Sequence, residues 1–331
     1  MYTVGSLFAG IGGIEKGFEE AGAKLSWANE IDSAACITYR KNYNHTLFEG
    51  DLNVLISKAK SGEFEFPKVD ILTAGFPCQA FSIAGYRKGF NDERGNLFFS
   101  IMKMVELIRP KALFLENVKN LRTHDNGRTY KIIRDALDDA EYTFTDFVLN
   151  TMEYGGVPQN RERIYILCFD KNLDSLDQDT HENLESILLP DKVLLKTKVR
   201  DLLEDRDLED RYYYNEEHQY YDKLNQAMKN PDTVYQWRRV YVRENQSNVC
   251  PTLTANMGTG GHNVPLIRDS KGIRKLTPRE CFRLQGFTDD YKLPDALAVS
   301  HLYKQAGNSV SVPVVRALAD KMLNLMSSRR I

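Results

Sequence analysis

The sequence has little of what marks disulfide-rich, metal-clustered or membrane proteins. Its 331 residues include only 5 cysteines and 6 histidines. The cysteines are odd in number, widely spread and never spaced Cys-x-x-Cys, which argues against a disulfide scaffold and a zinc ribbon. No apolar run approaches the roughly 20 residues that a membrane helix needs. The start, MYTVGSLFAGIGG, lacks the basic and apolar regions of an export signal, so we expect a cytoplasmic protein without a membrane partner.

Net charge is also nearly absent, because 44 Lys+Arg oppose 46 Asp+Glu to give a formal value of −2. This balance alone offers no support for nucleic-acid binding. Local counts differ, since residues 171–210 carry twelve acids and six bases, whereas residues 236–283 carry nine bases and three acids. The whole-chain value is therefore a cancellation, and the basic stretch is the part expected to meet phosphates.

The first half of the chain alternates apolar runs with amphipathic stretches. Strands are predicted at residues 4–8, 25–29, 69–74, 112–115 and 163–169, and helices at about 14–21 and 97–108. This alternation predicts an α/β fold with a doubly wound, mostly parallel sheet. After residue 170 the composition changes, and a Gly-rich stretch around residues 257–263 suits a close-contact loop.

The turn Phe8-Ala9-Gly10-Ile11-Gly12-Gly13 lies between the first strand and the first helix, where ligands approach the sheet. It is not the dinucleotide fingerprint, because Glu15 occupies the position of the third glycine. Glu30, at the end of the next strand, is placed to accept from ribose hydroxyls, and Asp51 is a further polar candidate. Each feature alone also fits a tight turn or a surface acid, and the ordered set favours a nucleoside cofactor.

Three further segments follow strands and carry reactive side chains. Cys78, in Gly75-Phe76-Pro77-Cys78-Gln79, is a candidate nucleophile, since a thiolate is far more reactive than a hydroxyl. Glu116 is a candidate proton donor, although a carboxylate at the start of a helix is also common. Arg161 and Arg163 are either a solvated strand edge or oriented donors to a substrate oxygen and a phosphate.

Taken in order, seven sequence elements resemble those of the DNA (cytosine-5) methyltransferase family over essentially the whole chain. They are FAGIGG, Glu30, Asp51, FPCQAFS, ENV, QNRER and QAGNSV. RKLTPRECFRLQGF, residues 274–287, is similar to the family segment before the last motif, and Thr252-Leu253 matches the pair within its recognition domain. The resemblance implies a Rossmann-like catalytic and cofactor-binding domain, residues 1–188 plus 302–331, and a smaller, irregular target-recognition domain with its hinge, residues 189–301.

The resemblance also implies a reaction. S-adenosyl-L-methionine would be the cofactor, with S-adenosyl-L-homocysteine as product and no metal. Cys78 would add to C6 of a cytosine flipped out of duplex DNA, and Glu116 would hold N3 and the exocyclic amine. Arg163 would hold the cytosine O2 with Arg161 assisting nearby, and the methyl group would pass to C5.

Two sets of binding residues are expected, one for the cofactor and one for DNA. The expected cofactor contacts are Phe8, Ala9, Gly10, Ile11, Gly13, Glu30, Ile31, Asp51, Leu52, Pro77, Leu97, Asn308 and Ser309. Ile31 occupies a position where family members differ widely, so only a general contact is carried over. The DNA contacts expected from the resemblance are Gln79, Ser82, Arg94 and Thr252. The recognition stretch is its least transferable part, and there the candidates for base or phosphate contacts are Arg238, Arg239, Arg243, Thr259 and His262. Arginine against guanine is the commonest major-groove pairing.

Three alternatives remain open at this point. A tRNA-cytosine methyltransferase of the same family typically shows Pro-Pro-Cys-Gln and Cys-Phe-Thr, whereas this chain has Phe76 before Pro77 and Asp170 after Phe169. A Rossmann oxidoreductase leaves Cys78 and Glu116 without roles, and a non-catalytic DNA-binding relative has no need of them. The expected partner is double-stranded DNA, acted on by a monomer, with a cognate restriction endonuclease as a candidate second partner.

Overall fold

The computed structural model describes residues 1–76, 97–173, 178–238, 240–245, 248–259 and 263–330, without the side chains of residues 178, 179, 181 and 182. The chain divides into two compact units. The first comprises Met1–Leu149, Glu162–Asp191 and Val314–Ile331, and the second Asn150–Arg161 and Lys192–Pro313.

The boundaries of these units differ from those predicted for the two domains. Residues 150–161 and 302–313, predicted for the catalytic domain, belong to the second unit, and residues 189–191 belong to the first. The assignment of catalysis to one domain and recognition to the other stays a prediction.

The first unit contains a seven-stranded sheet, in the order β3-β2-β1-β4-β5-β8-β6. Its strands are β1 (Thr3–Leu7), β2 (Lys24–Glu30), β3 (Thr46–Glu49), β4 (Ile71–Gly75), β5 (Ala112–Val118), β6 (Tyr142–Asn150) and β8 (Glu162–Asp170). The pairs from β3 to β5 are parallel, and β8 pairs antiparallel with β5. The predicted α/β fold with a mostly parallel sheet is therefore confirmed.

Apolar side chains explain this sheet and the helices beside it. Residues 112–115 of β5 are fully buried, the continuous apolar pattern expected of a strand covered on both faces. The helices of this unit are α1 (Gly13–Glu20), α2 (Ser33–Asn42), α3 (Leu52–Lys60), α4 (Leu97–Ile108), α5 (Arg128–Asp139), α7 (Gln178–Leu188) and, from Val314 on, α11 (Val312–Ser328). Among the described residues, no helix has both the length and the apolar character that crossing a membrane requires.

The second unit contains a five-stranded antiparallel sheet and a two-stranded parallel one. The larger has the order β11-β10-β13-β14-β9 and the smaller pairs β12 with β7. These strands are β7 (Gln159–Asn160), β9 (Tyr213–Tyr214), β10 (Val234–Arg238), β11 (Tyr241–Asn245), β12 (Cys250–Pro251), β13 (Leu266–Arg268) and β14 (Ile273–Lys275). The helices are α6 (Thr151–Tyr154), α8 (Tyr221–Ala227), α9 (Pro278–Arg283) and α10 (Val299–Asn308). Short 3-10 turns lie at Lys119–Arg122 and His124–Gly127 in the first unit, and at Val199–Leu202, Asp210–Tyr212 and Ala255–Gly258 in the second.

A buried ion cluster joins β14 to the start of α9. The Arg274 guanidinium donates to both carboxylate oxygens of Glu280 at 2.8 Å, and its Nε donates to Asp269 at 2.6 Å. Glu280 also accepts from the backbone N–H groups of Thr277 and Glu204. A buried ion pair recovers its desolvation cost only with such complete hydrogen bonding, so loss of one partner is expected to be costly.

Replacing Arg274 with methionine keeps the bulk of the side chain but leaves the Glu280 carboxylate buried without its cation. We expect Arg274→Met to lower the free energy of unfolding by about 3–5 kcal/mol, measured by urea denaturation. The matched control is Arg211→Met, because Arg211 pairs with Glu209 at 2.7 Å on an exposed surface and should cost less than about 1 kcal/mol. Equal losses of unfolding free energy in the two variants would contradict a stabilising role for the buried Arg274–Glu280 pair.

Candidate active site

The glycine-rich turn between β1 and α1 is shaped by positive backbone angles. Phe8, Gly10 and Gly12 have φ values of 54°, 57° and 84°. A Cβ on Gly12 would lie 2.2 Å from the Tyr43 ring, and the Tyr43 hydroxyl donates to the Gly12 carbonyl at 2.6 Å. A Cβ on Gly10 would meet no atom within 4 Å. The turn is therefore packed tightly at Gly12 and leaves open space at Gly10.

Glu30 anchors this turn from the end of β2. Its Oε2 accepts from the N–H of Gly10 at 2.7 Å, and its Oε1 accepts from the N–H groups of Ile31 and Asp32 at 2.8 and 2.7 Å. A carboxylate offers about four lone-pair sites, so these three bonds leave one. Glu30 is buried, whereas the apolar side chain of Ile31 is 61% exposed.

The other predicted cofactor residues of this unit differ in exposure. Asp51 is exposed and caps α3 by accepting from the N–H of Asn53 at 2.7 Å. Leu52 and Ile11 have buried side chains and Gly13 is buried, so these positions contribute packing or backbone. Ala9, whose N–H donates to the Asn29 carbonyl, and Leu97, which begins α4, are partly exposed.

Sequence reasoning missed Glu15, which is buried in α1 directly after the glycine-rich turn. The Tyr39 hydroxyl donates to Glu15 Oε1 at 3.3 Å and lies 2.6 Å from His45 Nε2. Burial raises the pKa of Glu15 to about 7, against the opposing effect of hydrogen bonds that include those from Ser6 and Tyr39. In α1, Glu15 directly follows the buried Ile14 and precedes the buried Phe18 by three residues, so the helical spacing places an acid beside the apolar face. This was the signal available in the sequence.

The raised pKa of Glu15 predicts a pH-dependent stability. Between its ordinary value and about 7 the folded protein holds a proton that the unfolded chain has lost, so stability falls as pH rises through this window. Glu15→Gln removes this dependence. From about pH 5 to pH 8 the wild type should lose up to about 3 kcal/mol of unfolding free energy relative to the variant.

Urea denaturation at several pH values would measure this difference. Glu19→Gln is the control, because Glu19 lies on the same helix with its side chain half exposed and should leave the profile unchanged. Parallel profiles for the wild type and Glu15→Gln would refute the prediction.

Glu116 and Arg163 meet as a diagonal pair across β5 and β8. In the antiparallel register, Val118 is opposite Arg163 and Glu116 is opposite Tyr165, so Glu116 and Arg163 share a face two positions apart. Arg163 Nε lies 3.2 Å from Glu116 Oε1, and the two side chains are 15% and 10% exposed. The pair combines a carboxylate with an oriented guanidinium at the end of a buried strand.

The neighbouring Asn117, also missed by sequence reasoning, holds the end of the adjacent strand. Its Nδ2 donates to the Phe76 carbonyl at 2.7 Å, and its Oδ1 accepts from the N–H of Val118 at 2.8 Å. The only sign of this role in the sequence was the position of Asn117 directly after Glu116. Because Phe76 directly precedes Pro77, Asn117 fixes the chain where the predicted nucleophile segment begins.

Several predicted residues lie outside the described part of the chain. They are Pro77, Cys78, Gln79, Ser82, Arg94, Arg239 and His262. Their roles stay predictions.

The segment Gln159-Asn160-Arg161 contributes to the second unit, where Arg161 is almost fully buried. The Arg161 guanidinium donates to the carbonyls of Leu253 at 2.8 Å, Gly307 at 3.3 Å and Ser309. The buried Gln159 side chain accepts from the Leu253 N–H at 3.1 Å and donates to the Leu284 carbonyl at 2.6 Å. These contacts give Arg161 a backbone-holding role, and its predicted contact with a base stays a prediction.

The second unit also contains the remaining predicted site residues. Asn308 is exposed, whereas Ser309 is buried and its Oγ has no hydrogen-bond partner among the described residues. Arg243 and Thr252 line a cavity of about 340 Å³. Thr259 is exposed and its hydroxyl donates to the Asn256 carbonyl at 2.8 Å.

Comparison with known proteins relates the whole chain to one family. The family model described as C-5 cytosine-specific DNA methylase matches residues 2–324. The type II methyltransferase M.Bsp6I of Bacillus sp. (strain RFL6) is 49% identical over 330 residues, covering 98% of this chain and 100% of that protein. The type II methyltransferase M.HhaI of Haemophilus parahaemolyticus is 38% identical over 333 residues, covering 95% and 91%.

Two solved structures are similar in fold. An Escherichia coli prophage protein described as a DNA modification methyltransferase superposes with a TM-score of 0.71 at 22% identity, covering 99% of this chain and 100% of that one. The S. pombe Dnmt2 methyltransferase superposes with a TM-score of 0.69 at 17% identity, covering 100% of both chains. At these identities the likeness establishes the fold alone.

Proposed function

The chain belongs to the C-5 cytosine-specific DNA methylase family and is a DNA (cytosine-5)-methyltransferase, and from this premise we propose which residues carry the reaction. As in type II modification enzymes, the methyl group is placed on cytosine C5 within a specific DNA sequence. Family membership excludes the oxidoreductase, and the 49% identity to a type II methyltransferase over the full length favours an enzyme over a non-catalytic relative. The family uses S-adenosylmethionine as its methyl donor.

The Glu116–Arg163 pair is the observation that supports the catalytic assignment. Arg163 contacts Oε1 of Glu116 and orients the carboxyl group. Glu116 then holds N3 and the exocyclic amine of the flipped cytosine, while Arg163 contacts its O2. Asn117 fixes Phe76 beside this pair, which supports placing the attack by Cys78, two residues further along, on the same base.

The chemistry overcomes the weak nucleophilicity of cytosine C5. The Cys78 thiolate forms a bond to C6, the ring electrons shift to a C4=C5 enamine, and Glu116 supplies the proton that N3 takes up. The enamine is nucleophilic at C5, and the bound methyl donor would supply the methyl group that C5 takes up, leaving as S-adenosyl-L-homocysteine. Loss of the C5 proton to water restores the C5=C6 double bond and expels Cys78 as a thiolate, and N3 returns its proton to Glu116, which leaves 5-methylcytosine.

The residues around the glycine-rich turn fit a nucleoside-containing cofactor. Gly10 borders open space, Glu30 retains an acceptor site beside it, and the exposed Ile31 offers an apolar surface to a flat ring. Glu30 would take the ribose hydroxyls and Asp51 the adenine amine. S-adenosylmethionine, when bound, supplies an electrophilic methyl group on a sulfonium sulfur.

The remaining cofactor and partner assignments rest on the family. Asn308 and Ser309 are proposed as further cofactor contacts on the family alone. The substrate is duplex DNA, from which the target base must be extruded at a cost of a few kcal/mol. A monomeric enzyme and a cognate restriction endonuclease in the same system complete the proposal.

Covalent trapping tests the nucleophile. A target cytosine with fluorine at C5 has no proton to lose there, so duplex DNA carrying it should form a stable adduct with the wild type, seen by mass spectrometry. Cys78→Ala should abolish both the adduct and methyl transfer while cofactor binding survives. The control Cys250→Ala removes a buried thiol whose pKa is raised by burial, and it should keep the adduct.

Two results would contradict this mechanism. Appreciable turnover by Cys78→Ala would remove Cys78 from the nucleophile role. Activity confined to tRNA, with none on duplex DNA, would support the tRNA branch instead.

Replacing the Glu30 carboxylate tests the cofactor site. In Glu30→Gln one oxygen that accepts backbone N–H groups becomes an amide donor, which disturbs the turn and removes the charged acceptor for ribose. We expect the KM for the methyl donor to rise roughly 10- to 100-fold, with a smaller change in kcat. The control is Glu49→Gln at the end of β3, where the acid is partly exposed and pairs with Arg40; an equal change in both variants, or none in Glu30→Gln, would refute the assignment.

A further inference from the structure

The hairpin of β10 and β11 has two faces of different chemistry. Tyr235, Trp237 and Val242 lie on one face and pack with Tyr220 and Leu224 in an apolar cluster. The opposite face carries Gln236, Arg238, Arg243 and Asn245, which line the cavity of about 340 Å³ in the second unit. Alternation along a strand with one buried face explains this separation.

We propose that this polar face reads the edge of a guanine in duplex DNA, with Arg243 and the neighbouring Gln236 and Arg238 as specificity-determining residues. The inference rests on the proposed function and deepens it by naming the residues and the base. It concerns sequence discrimination, which is separate from the methyl-transfer chemistry.

The register of the hairpin brings the three side chains together. Gln236 is directly opposite Arg243, and directly opposite side chains have Cβ atoms about 4.5–5.5 Å apart. Arg238 Nη2 donates to Gln236 Oε1 at 3.1 Å. Gln236 is therefore held by its acceptor oxygen, and its amide N–H groups remain to meet a ligand beside the Arg243 guanidinium.

The side chains that line this cavity are mainly hydrogen-bond donors, which favours a base that presents acceptors. Two guanidinium groups line the cavity, and none of the described residues lining it carries a carboxylate. Adenine presents a donor and an acceptor in the major groove, whereas guanine presents two acceptors, N7 and O6. With the Gln236 oxygen engaged by Arg238, guanine is the better match.

The back of the hairpin is held in place, as recognition at base resolution requires. The Trp237 ring stacks on Tyr220 with centroids 4.4 Å apart and planes at 29°. The buried Tyr235 hydroxyl donates to the Asn230 carbonyl at 3.0 Å and accepts from its N–H at 2.9 Å. On the rim of the cavity, Thr252 donates to the Asn160 carbonyl at 2.6 Å.

The test is the methylation profile of a plasmid library with randomised sites, read by bisulfite sequencing from cells expressing the full chain. In Arg243→Ala and Gln236→Ala, discrimination for guanine at one position of the site should fall roughly 5- to 150-fold, while other positions keep their preferences. Arg211→Ala, which removes an exposed arginine paired with Glu209, is the control and should leave the profile unchanged.

Each other outcome overturns a distinct claim. Uniformly weaker methylation with an unchanged profile would mean phosphate contacts and would overturn base reading. An unchanged profile and rate in both folded variants would overturn any role for this face, and if Arg243→Ala fails to fold, the Gln236→Ala profile decides. Absence of C5 methylation by the wild type itself would overturn the proposed function.

Discussion

The antiparallel pairing of β5 with β8 in one register determines the proposed catalytic centre. Because side chains alternate along a strand, a slip of one residue would move Arg163 to the opposite face from Glu116. The parallel pairing of β4 with β5 then brings the end of β4 beside Glu116. Asn117 donates to the carbonyl of Phe76, the residue directly after β4. A carboxylate, its guanidinium partner and the start of the Cys78 segment are thus brought together by the backbone ladders of three adjacent strands.

The sequence predicted the strands whose two faces are both buried, and it missed those at the sheet edges. Continuous apolar runs identify β1, β4 and β5, whereas β3 has no buried residue and β6 mixes buried and partly exposed positions without a clear period. The two sheets of the second unit escaped prediction because their strands have only two to five residues, too few to show a period. The proximity of Glu116 and Arg163 depends on the register between β5 and β8, which cannot be read from a single sequence.

Charge counting along the chain identified a basic segment, but it counts cations that are engaged within the protein together with those that can contact DNA. Arg274 is buried on Glu280, Arg268 donates to the Met228 carbonyl and Asn225, and Arg283 pairs with Asp289. These guanidinium groups stabilise the fold of the second unit. Formal charge cannot separate such internal cations from exposed ones, because the distinction depends on tertiary contacts far apart in sequence.

The contact between Gly12 and Tyr43 has a consequence for how this protein can vary. Any side chain at position 12 would overlap the tyrosine ring, and the left-handed backbone there disfavours other residues as well. The two positions lie 31 residues apart in the chain, yet the tyrosine at one adds to the constraint on the other. A smaller residue at position 43 would remove the overlap but not the backbone constraint at position 12. Among related sequences, Gly12 should therefore vary less than Tyr43.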